Sequence, residues 1–291
     1  MKTFKESVRT RDFAIATRIA LRPETNAAAI REHADLLRDH VDAVLLTDNQ
    51  FGQIHMSTLA GSALLVQNGV DAIMQLSCRN RNRIALLGDL FGAAALGVTS
   101  LLLVRGQEVP KEIKPRPKAL LDVSATELIA IATAMKSDGG LESFPDFFLG
   151  GVLAQDPKAG KVPKKLIENI DAGAQFVQMP ICMDIDTLRR YMKHLVANKL
   201  VRRVSVMAAT AILRSADDAH WLRENRTTVQ IPDAIVDRLD RADDPEREGI
   251  TICIEQLSAL AEIPGISGAT IMPGTNLADI PDIVKAARLA S

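Results

Sequence analysis

Three observations make a single (β/α)8 barrel (a TIM barrel) the fold class that this sequence predicts. Eight short apolar runs alternate with helix-like segments from one end of the chain to the other. The runs are apolar throughout rather than alternating, as expected of parallel strands buried on both faces. Eight such repeats in 291 residues match the usual size of that barrel. An open, doubly wound sheet is the weaker alternative, because no Gly-x-Gly-x-x-Gly turn follows the first run. With no internal linker and no low-complexity segment, one domain spanning residues 1–291 is expected.

The elements follow in order. A strand over Phe13–Ile19 precedes a helix over Ala27–Arg38, and a strand over Ala43–Thr47 precedes a helix over Met56–Gln67. The third unit pairs Ala72–Leu76 with a helix over Asn82–Leu96, which Gly97 ends before the next strand, Ser100–Val104. The segment after that strand, Gln107–Leu121, holds three prolines and the basic residues Lys111, Lys114, Arg116 and Lys118. It reads as an extended loop on the catalytic face, either simply solvated or a flap whose cations meet an anionic ligand. A helix over Thr126–Lys136 leads to a strand at Phe147–Leu153. The next helix, Lys164–Ala172, closes at Gly173 before the Phe176–Met179 strand. Then come a helix over Ile185–Asn198, a strand over Val204–Met207 and helices over Ala216–Asn225 and Arg247–Glu262. The strand Gly268–Met272 and a helix over Leu277–Leu289 complete the series.

Composition excludes several classes. Hydrophobic residues make up 47% of the chain, ample for a large core. With 35 basic and 36 acidic residues the net charge is −1, which gives no reason to expect nucleic acid or an anionic membrane as partner. No apolar run reaches membrane-spanning length, and the N-terminal MKTFKESVRTRDF lacks the apolar core of a secretory signal. Cys78, Cys182 and Cys253 are widely spaced and odd in number, which suits free thiols in a reducing, cytoplasmic setting. The five histidines are scattered, so no metal site is expected.

Chemistry concentrates in the third and fourth units. Gln75-Leu-Ser-Cys-Arg-Asn-Arg-Asn-Arg83 follows one strand, and the next ends in Val104-Arg-Gly-Gln107. Polar residues at strand C-termini are where a barrel places its site. This pair of segments resembles the methylenetetrahydrofolate reductase family, whose corresponding units read His/Gln-Leu-Thr-Cys, Arg-Asn-Arg and then Arg-Gly-Asp or Thr-Gly-Asp. Further resemblance lies in Leu46-Thr-Asp-Asn49, in Asp171-Ala-Gly-Ala174 with Gln178 on the next strand, in Val229-Gln-Ile-Pro232 with its following helix, and in Ile271-Met-Pro-Gly-Thr-Asn276. The resemblance implies a barrel that reduces 5,10-methylenetetrahydrofolate to 5-methyltetrahydrofolate with NADH or NADPH, usually through FAD, in a homo-oligomer. It implies that Gln178, Thr47, Gln107, Asn276 and Met207 meet the folate, and that Gln75, Ser77, Arg105, Gly106 and Asp156 meet the cofactor. A carboxamide such as Gln178 donates and accepts at once, which suits an aminopyrimidinone edge.

Three positions depart from the family pattern. The first strand, Thr17-Arg-Ile-Ala-Leu-Arg-Pro-Glu-Thr25, has Arg18 or Ile19, depending on register, where the family carries the Glu that is its presumed acid. Gln107 replaces the Asp that tunes the flavin, and the Tyr-Pro-Glu of the fifth strand becomes Gly150-Gly-Val-Leu-Ala-Gln-Asp156. An acid must then come from elsewhere on the rim, and Asp48, Glu24 and Asp156 are the candidates, with Gln107 beside the reacting centre. Asp48 could equally cap the next helix. Reduction with or without flavin, reduction run in reverse, a tetrahydrofolate-dependent methyltransferase and a non-catalytic folate binder all remain open. The basic series Arg79, Arg81, Arg83 would either form ion pairs at a solvated helix start or capture a cofactor phosphate or the folate tail.

Overall fold

The computed structural model describes residues 2–108, 110–115, 117–137, 146–153, 162–226, 228–274 and 276–290. Eight parallel strands pair in sequence order and close on themselves. They are β1 (Ala14–Ala20), β2 (Ala43–Thr47), β3 (Ala72–Ser77), β4 (Ser100–Val104), β5 (Phe148–Val152), β6 (Phe176–Ile181), β7 (Ser205–Ala211) and β8 (Ile266–Met272). Around them lie α1 (Phe4–Thr10), α2 (Ala27–Leu37), α3 (Thr58–Gln67), α4 (Arg83–Ala95), α5 (Ala125–Ser137), α6 (Lys164–Asp171) and α7 (Ile185–Ala197). Three helices, α8 (Ala216–Asn225), α9 (Asp233–Asp240) and α10 (Pro245–Ala261), separate β7 from β8, and α11 (Ile280–Ala290) ends the chain. The predicted (β/α)8 barrel is the observed one. No helix among the described residues is long and apolar enough to cross a membrane.

Helix starts are set locally. Asn26, Ser57, Asn82, Asp184, Ser215 and Asp244 each accept a hydrogen bond from a backbone N–H in the first turn. Two features go beyond the sequence expectation. β7 runs four residues past Met207, because Ala208–Ala211, three of them alanines and weak strand formers, are held by β8 from Ala208↔Ala269 to Ala211↔Met272. Helix α1, too short to show a period, is fixed by a capping box between Thr3 and Glu6 and by burial of Phe4.

Phe4 fills the N-terminal end of the barrel. Its ring meets Phe148 at 5.7 Å and Phe176 at 5.5 Å, and the latter two stack at 4.9 Å. Met207, Leu45, Ile73 and Leu102 pack around them. Gly150 makes room, since a Cβ there would overlap the Phe176 ring. Helix side chains cover the outer faces of the strands in separate clusters.

The plug is tied down by Asp71, just before β3, whose carboxylate accepts the Phe4 N–H at 2.5 Å. Burial pushes the Asp71 pKa from its ordinary 3.8 to about 6, against the lowering effect of that hydrogen bond. The folded state therefore holds a proton that the unfolded chain releases near pH 4. This residue's contribution to stability falls as pH rises from about 4 to 6, by at most about 3 kcal/mol, and is flat above that. Asp71→Asn removes the titration. In urea denaturation the stability of the variant relative to wild type should rise between pH 4 and pH 7; a pH-independent difference would show that Asp71 titrates normally.

Candidate active site at the barrel mouth

Strand parity decides which side chains enter the mouth. On β1, Ala14 and Ala16 belong to the interior cluster, so Arg18 and Ala20 continue the same face. Ile19 and Leu21 pack outside with Ile30 and Ala34. The register left open by the sequence is thereby settled for this chain: Arg18, and not Ile19, turns into the barrel. By the same alternation Thr47 follows Leu45, Gln75 and Ser77 follow Ile73, Gln178 follows Phe176, and Thr270 follows Gly268.

Gln178 is held firmly. Its Nε2 donates to the carbonyls of Met179, Met207 and Ala208 at 3.1–3.3 Å, and its Oε1 accepts from the Thr270 hydroxyl at 2.8 Å. The amide orientation is fixed, and one lone pair of Oε1 is left for a ligand donor. Met207 is fully buried beside the phenylalanine rings and forms floor beneath this carboxamide. Thr47 is buried and donates to Gln50 Oε1 at 3.0 Å.

Asp48 is almost wholly buried and accepts throughout. Its Oδ2 takes the Ser77 N–H at 2.8 Å and Arg81 Nη1 at 2.6 Å, and its Oδ1 takes Arg81 Nη2 at 3.4 Å. Arg81 also meets Asp89 at 3.0 Å. Burial works against the Arg81 charge, but Asp48 and Asp89 outweigh it and raise its pKa. Burial raises Asp89 despite Arg81. The geometry thus gives Asp48 the work of an anchor, joining the end of β2 to the turn that opens α4.

Ser77 Oγ donates to the Arg105 carbonyl at 3.4 Å. Gly106 follows with φ +87°, and a Cβ there would overlap Ser77 Oγ, so both conformation and space require glycine. The Arg105 and Gln107 side chains are exposed beside it. Glu24 is exposed beyond β1, 4.0 Å from Arg22, and Asn276 is exposed after β8, capping Ala278 at 2.9 Å. Gln155, Asp156, Arg116 and the Phe51 side chain lie outside the described residues. Cys78 is buried, and burial raises its thiol pKa, as suits packing.

Sequence reasoning missed the Arg81 anchor and Thr270. It could have found the inward Arg18, because Ala14, Ala16, Arg18 and Ala20 alternate with Ile15, Thr17 and Ile19. Arg18 is half-buried, with no hydrogen bond or ion pair to it among the described residues, and Arg226, on the loop after α8, is close enough to repel it. Burial first, and then that repulsion, pull the Arg18 pKa down to about 9, so it stays charged at neutral pH.

A closed barrel with polar side chains at its C-terminal mouth defines a (β/α)8 protein with a candidate site where this fold class places one. The chain belongs to the methylenetetrahydrofolate reductase family, whose model matches residues 22–272, from just after β1. Among solved structures, an uncharacterised protein from Clostridium thermocellum that binds two copies of 5-methyl-5,6,7,8-tetrahydrofolic acid is 13% identical, with 99% of each chain covered and a TM-score of 0.65. Oxaloacetate acetylhydrolase is 12% identical at a TM-score of 0.51, covering 93% of this chain and 78% of its own. 2,3-Dimethylmalate lyase is 12% identical at 0.50, covering 99% and 86%. At these identities the likeness is one of fold. No curated protein sequence matches.

The family's flavin needs cations for its diphosphate, and the basic series that follows β3 is already engaged within this chain. Arg79 meets Glu108 at 2.7 Å, Arg81 is held by two aspartates, and Arg83 lies 4.0 Å from Asp122. Each arginine of the basic series is opposed by a carboxylate of this chain, and Gln107 brings no charge to the strand-four end.

Asp48→Asn should cost about 1–3 kcal/mol of stability in urea denaturation, because it weakens a buried charge-assisted pair. Arg81→Met in the same background should then add little. Full additivity of the two changes would mean that they do not act as a unit.

Proposed function

We propose that this barrel binds a one-carbon derivative of tetrahydrofolate in its mouth and passes hydride to it directly from NADH or NADPH. The observation that carries the reading is Gln178, an inward-facing carboxamide of fixed orientation whose Oε1 takes one hydrogen bond and can accept a second, in a chain of this family. An N–H on the pterin's aminopyrimidinone edge is a matching donor. The Clostridium thermocellum protein with the same fold, which holds 5-methyltetrahydrofolate, adds support.

The reaction balances without a resident cofactor. The N10–methylene bond of 5,10-methylenetetrahydrofolate breaks, N10 takes a proton, and the carbon is left as an iminium on N5. Hydride from nicotinamide C4 then gives 5-methyltetrahydrofolate and the oxidised nucleotide. Asp48 is committed to Ser77 and Arg81, and Arg18 keeps its proton at neutral pH, which leaves Glu24, Asp156 or a water as the source of the proton for N10. The protein's own part is to hold the pterin through Gln178 and to place it over the floor made by Met207. The reverse oxidation uses the same groups.

A second reading is favoured by one observation. Arg18, a cation turned into the mouth from β1, suits a protein that binds reduced folate without turning it over. An anaerobic assay of flavin-free protein with NADH or NADPH and methylenetetrahydrofolate separates the two. The reductase reading expects equal amounts of nucleotide oxidised and 5-methyltetrahydrofolate formed. Folate binding without nucleotide oxidation supports the binder, and methyl transfer without nucleotide would point to a methyltransferase.

Gln178→Ala should weaken 5-methyltetrahydrofolate binding by about 1–3 kcal/mol in direct titration, the scale for removing one partner of a buried polar contact. Unchanged affinity would take Gln178 out of the site.

A further inference from the structure

We propose that the outer face of α4 is the contact surface of a homodimer, in which α4 of one copy packs antiparallel against α4 of a second copy.

The argument starts from composition. Outer helices of a barrel normally turn charged side chains to water, as α6 (KKLIENID), α7 (IDTLRRYMKHLVA) and α9 (DAIVDRLD) do here. Helix α4, RIALLGDLFGAAA, has two charged residues, and each faces a partner within the chain. Arg83 lies 4.0 Å from Asp122, and Asp89 lies 3.0 Å from Arg81. Ile84, Gly88, Phe91 and Ala95 are exposed and recur at the spacing of one helix face. Ile84 is 80% exposed, Phe91 44%, and Leu96 at the end of the helix 41%. The neighbouring helix α3, TLAGSALLVQ, whose Leu59 lies against Gly92, has no charged residue at all. Leu120 and Leu121, both exposed, extend the apolar surface at the N-terminal end of α4, where the next residue, Asp122, accepts the Arg83 N–H. A helix apolar on every side is one that is covered, and continuous exposed apolar area marks a contact surface.

Two observations select a second copy as the cover. The first is shape. Across a two-fold axis the contact is reciprocal: residue i meets residue j, and j meets i. With the axis over the middle of α4, Phe91 lies opposite Gly88 of the second copy, Ile84 opposite its Ala95, and Arg83 opposite its Leu96. Each large apolar side chain of the stripe then faces a small one. Gly88 is an open position, where an added Cβ would meet nothing within 4 Å, so a phenyl ring has room above it.

The second observation is charge. Helix α4 carries its cation at the wrong end for its own dipole: Arg83 opens it, with no acid in the first turn and no cation in the last. An antiparallel copy brings its Arg83 to that last turn, and the exchange is mutual. The stripe between the ends is uncharged, so it meets itself without like-charge repulsion. At 13 residues α4 is about 20 Å long, short of the roughly 800 Å² per partner of a standard interface. The contact therefore draws on α3 and on Leu120 and Leu121 as well, and association depends on concentration. The surface lies on the outside of the barrel and is independent of what the mouth binds.

Sedimentation velocity of the full chain over a range of concentrations tests the dimer. Wild type should pass from monomer to dimer, and Ile84→Arg should weaken association tenfold or more. Arg83→Gln should weaken it about two- to fivefold, the scale of a cation at an exposed helix C-terminus. Ile84 stands mostly outside the core, so Ile84→Arg should melt with wild type at low concentration. Gly88→Gln, at an open position, blocks the same approach by bulk alone. Cross-linking reads the pairing. All three native cysteines are buried, so with copper phenanthroline as oxidant an equal mixture of Ile84→Cys and Ala95→Cys chains should form a disulfide dimer that neither forms alone. Wild type that stays monomeric at every concentration would overturn the proposal and leave the face to a different occupant. A dimer that Ile84→Arg and Gly88→Gln leave intact would place the contact elsewhere and overturn it too. Cross-linking of Ile84→Cys with itself would rule out the antiparallel arrangement.

Discussion

Closure of eight parallel strands is the constraint on which the rest of this structure depends. Once β8 pairs with β1, every strand has one face turned inward, and alternate residues have no choice of side. The interior is narrow, so each inward position must either fill it or leave it open. At the N-terminal end it is filled by Phe4, Phe148, Phe176 and Met207. At the C-terminal end the same alternation delivers Arg18, Thr47, Gln75, Ser77, Gln178 and Thr270. A packed apolar floor beneath polar groups is the general plan of a barrel site.

Polar groups at the mouth are of two kinds. Some are satisfied by the protein itself: Gln178 by three carbonyls and Thr270, Asp48 by Ser77 and Arg81. These bonds hold strand ends and turns in fixed positions, and a fixed orientation is what lets a single remaining lone pair select a ligand. Arg18 is of the other kind, a charge left without a carboxylate among the described residues beside another cation. Protein interiors rarely keep such a group for stability, which turns attention to what the barrel binds.

The basic series Arg79, Arg81, Arg83 shows how the same residue type takes opposite roles. In sequence these arginines look like an anion site, since three charges open a helix. In space Glu108, Asp48 and Asp122 come from other segments, and Asp89 from the helix they open, to meet them. Arg18 is the one charge in its strand, and the sequence leaves open whether it or Ile19 faces inward. The difference lies wholly in where distant carboxylates fall.

The sequence by itself determined the barrel. Eight apolar runs and the helices between them depend on local periodicity, and the caps Asn26, Ser57, Asn82, Asp184, Ser215 and Asp244 are read within one turn. It also placed polar residues at strand ends, because chain order alone tells which end is C-terminal. Tertiary structure alone decided the rest. Whether Arg18 or Ile19 entered the barrel turned on a one-residue register, fixed by pairing with β2 and β8. The last four residues of β7 became strand through pairing with β8, and α1 became a plug through contact with Phe148 and Phe176. That Asp48 anchors a turn depends on Arg81, 33 residues further along the chain. Charges interact through space and not along the sequence, so their partners are set only when the barrel closes.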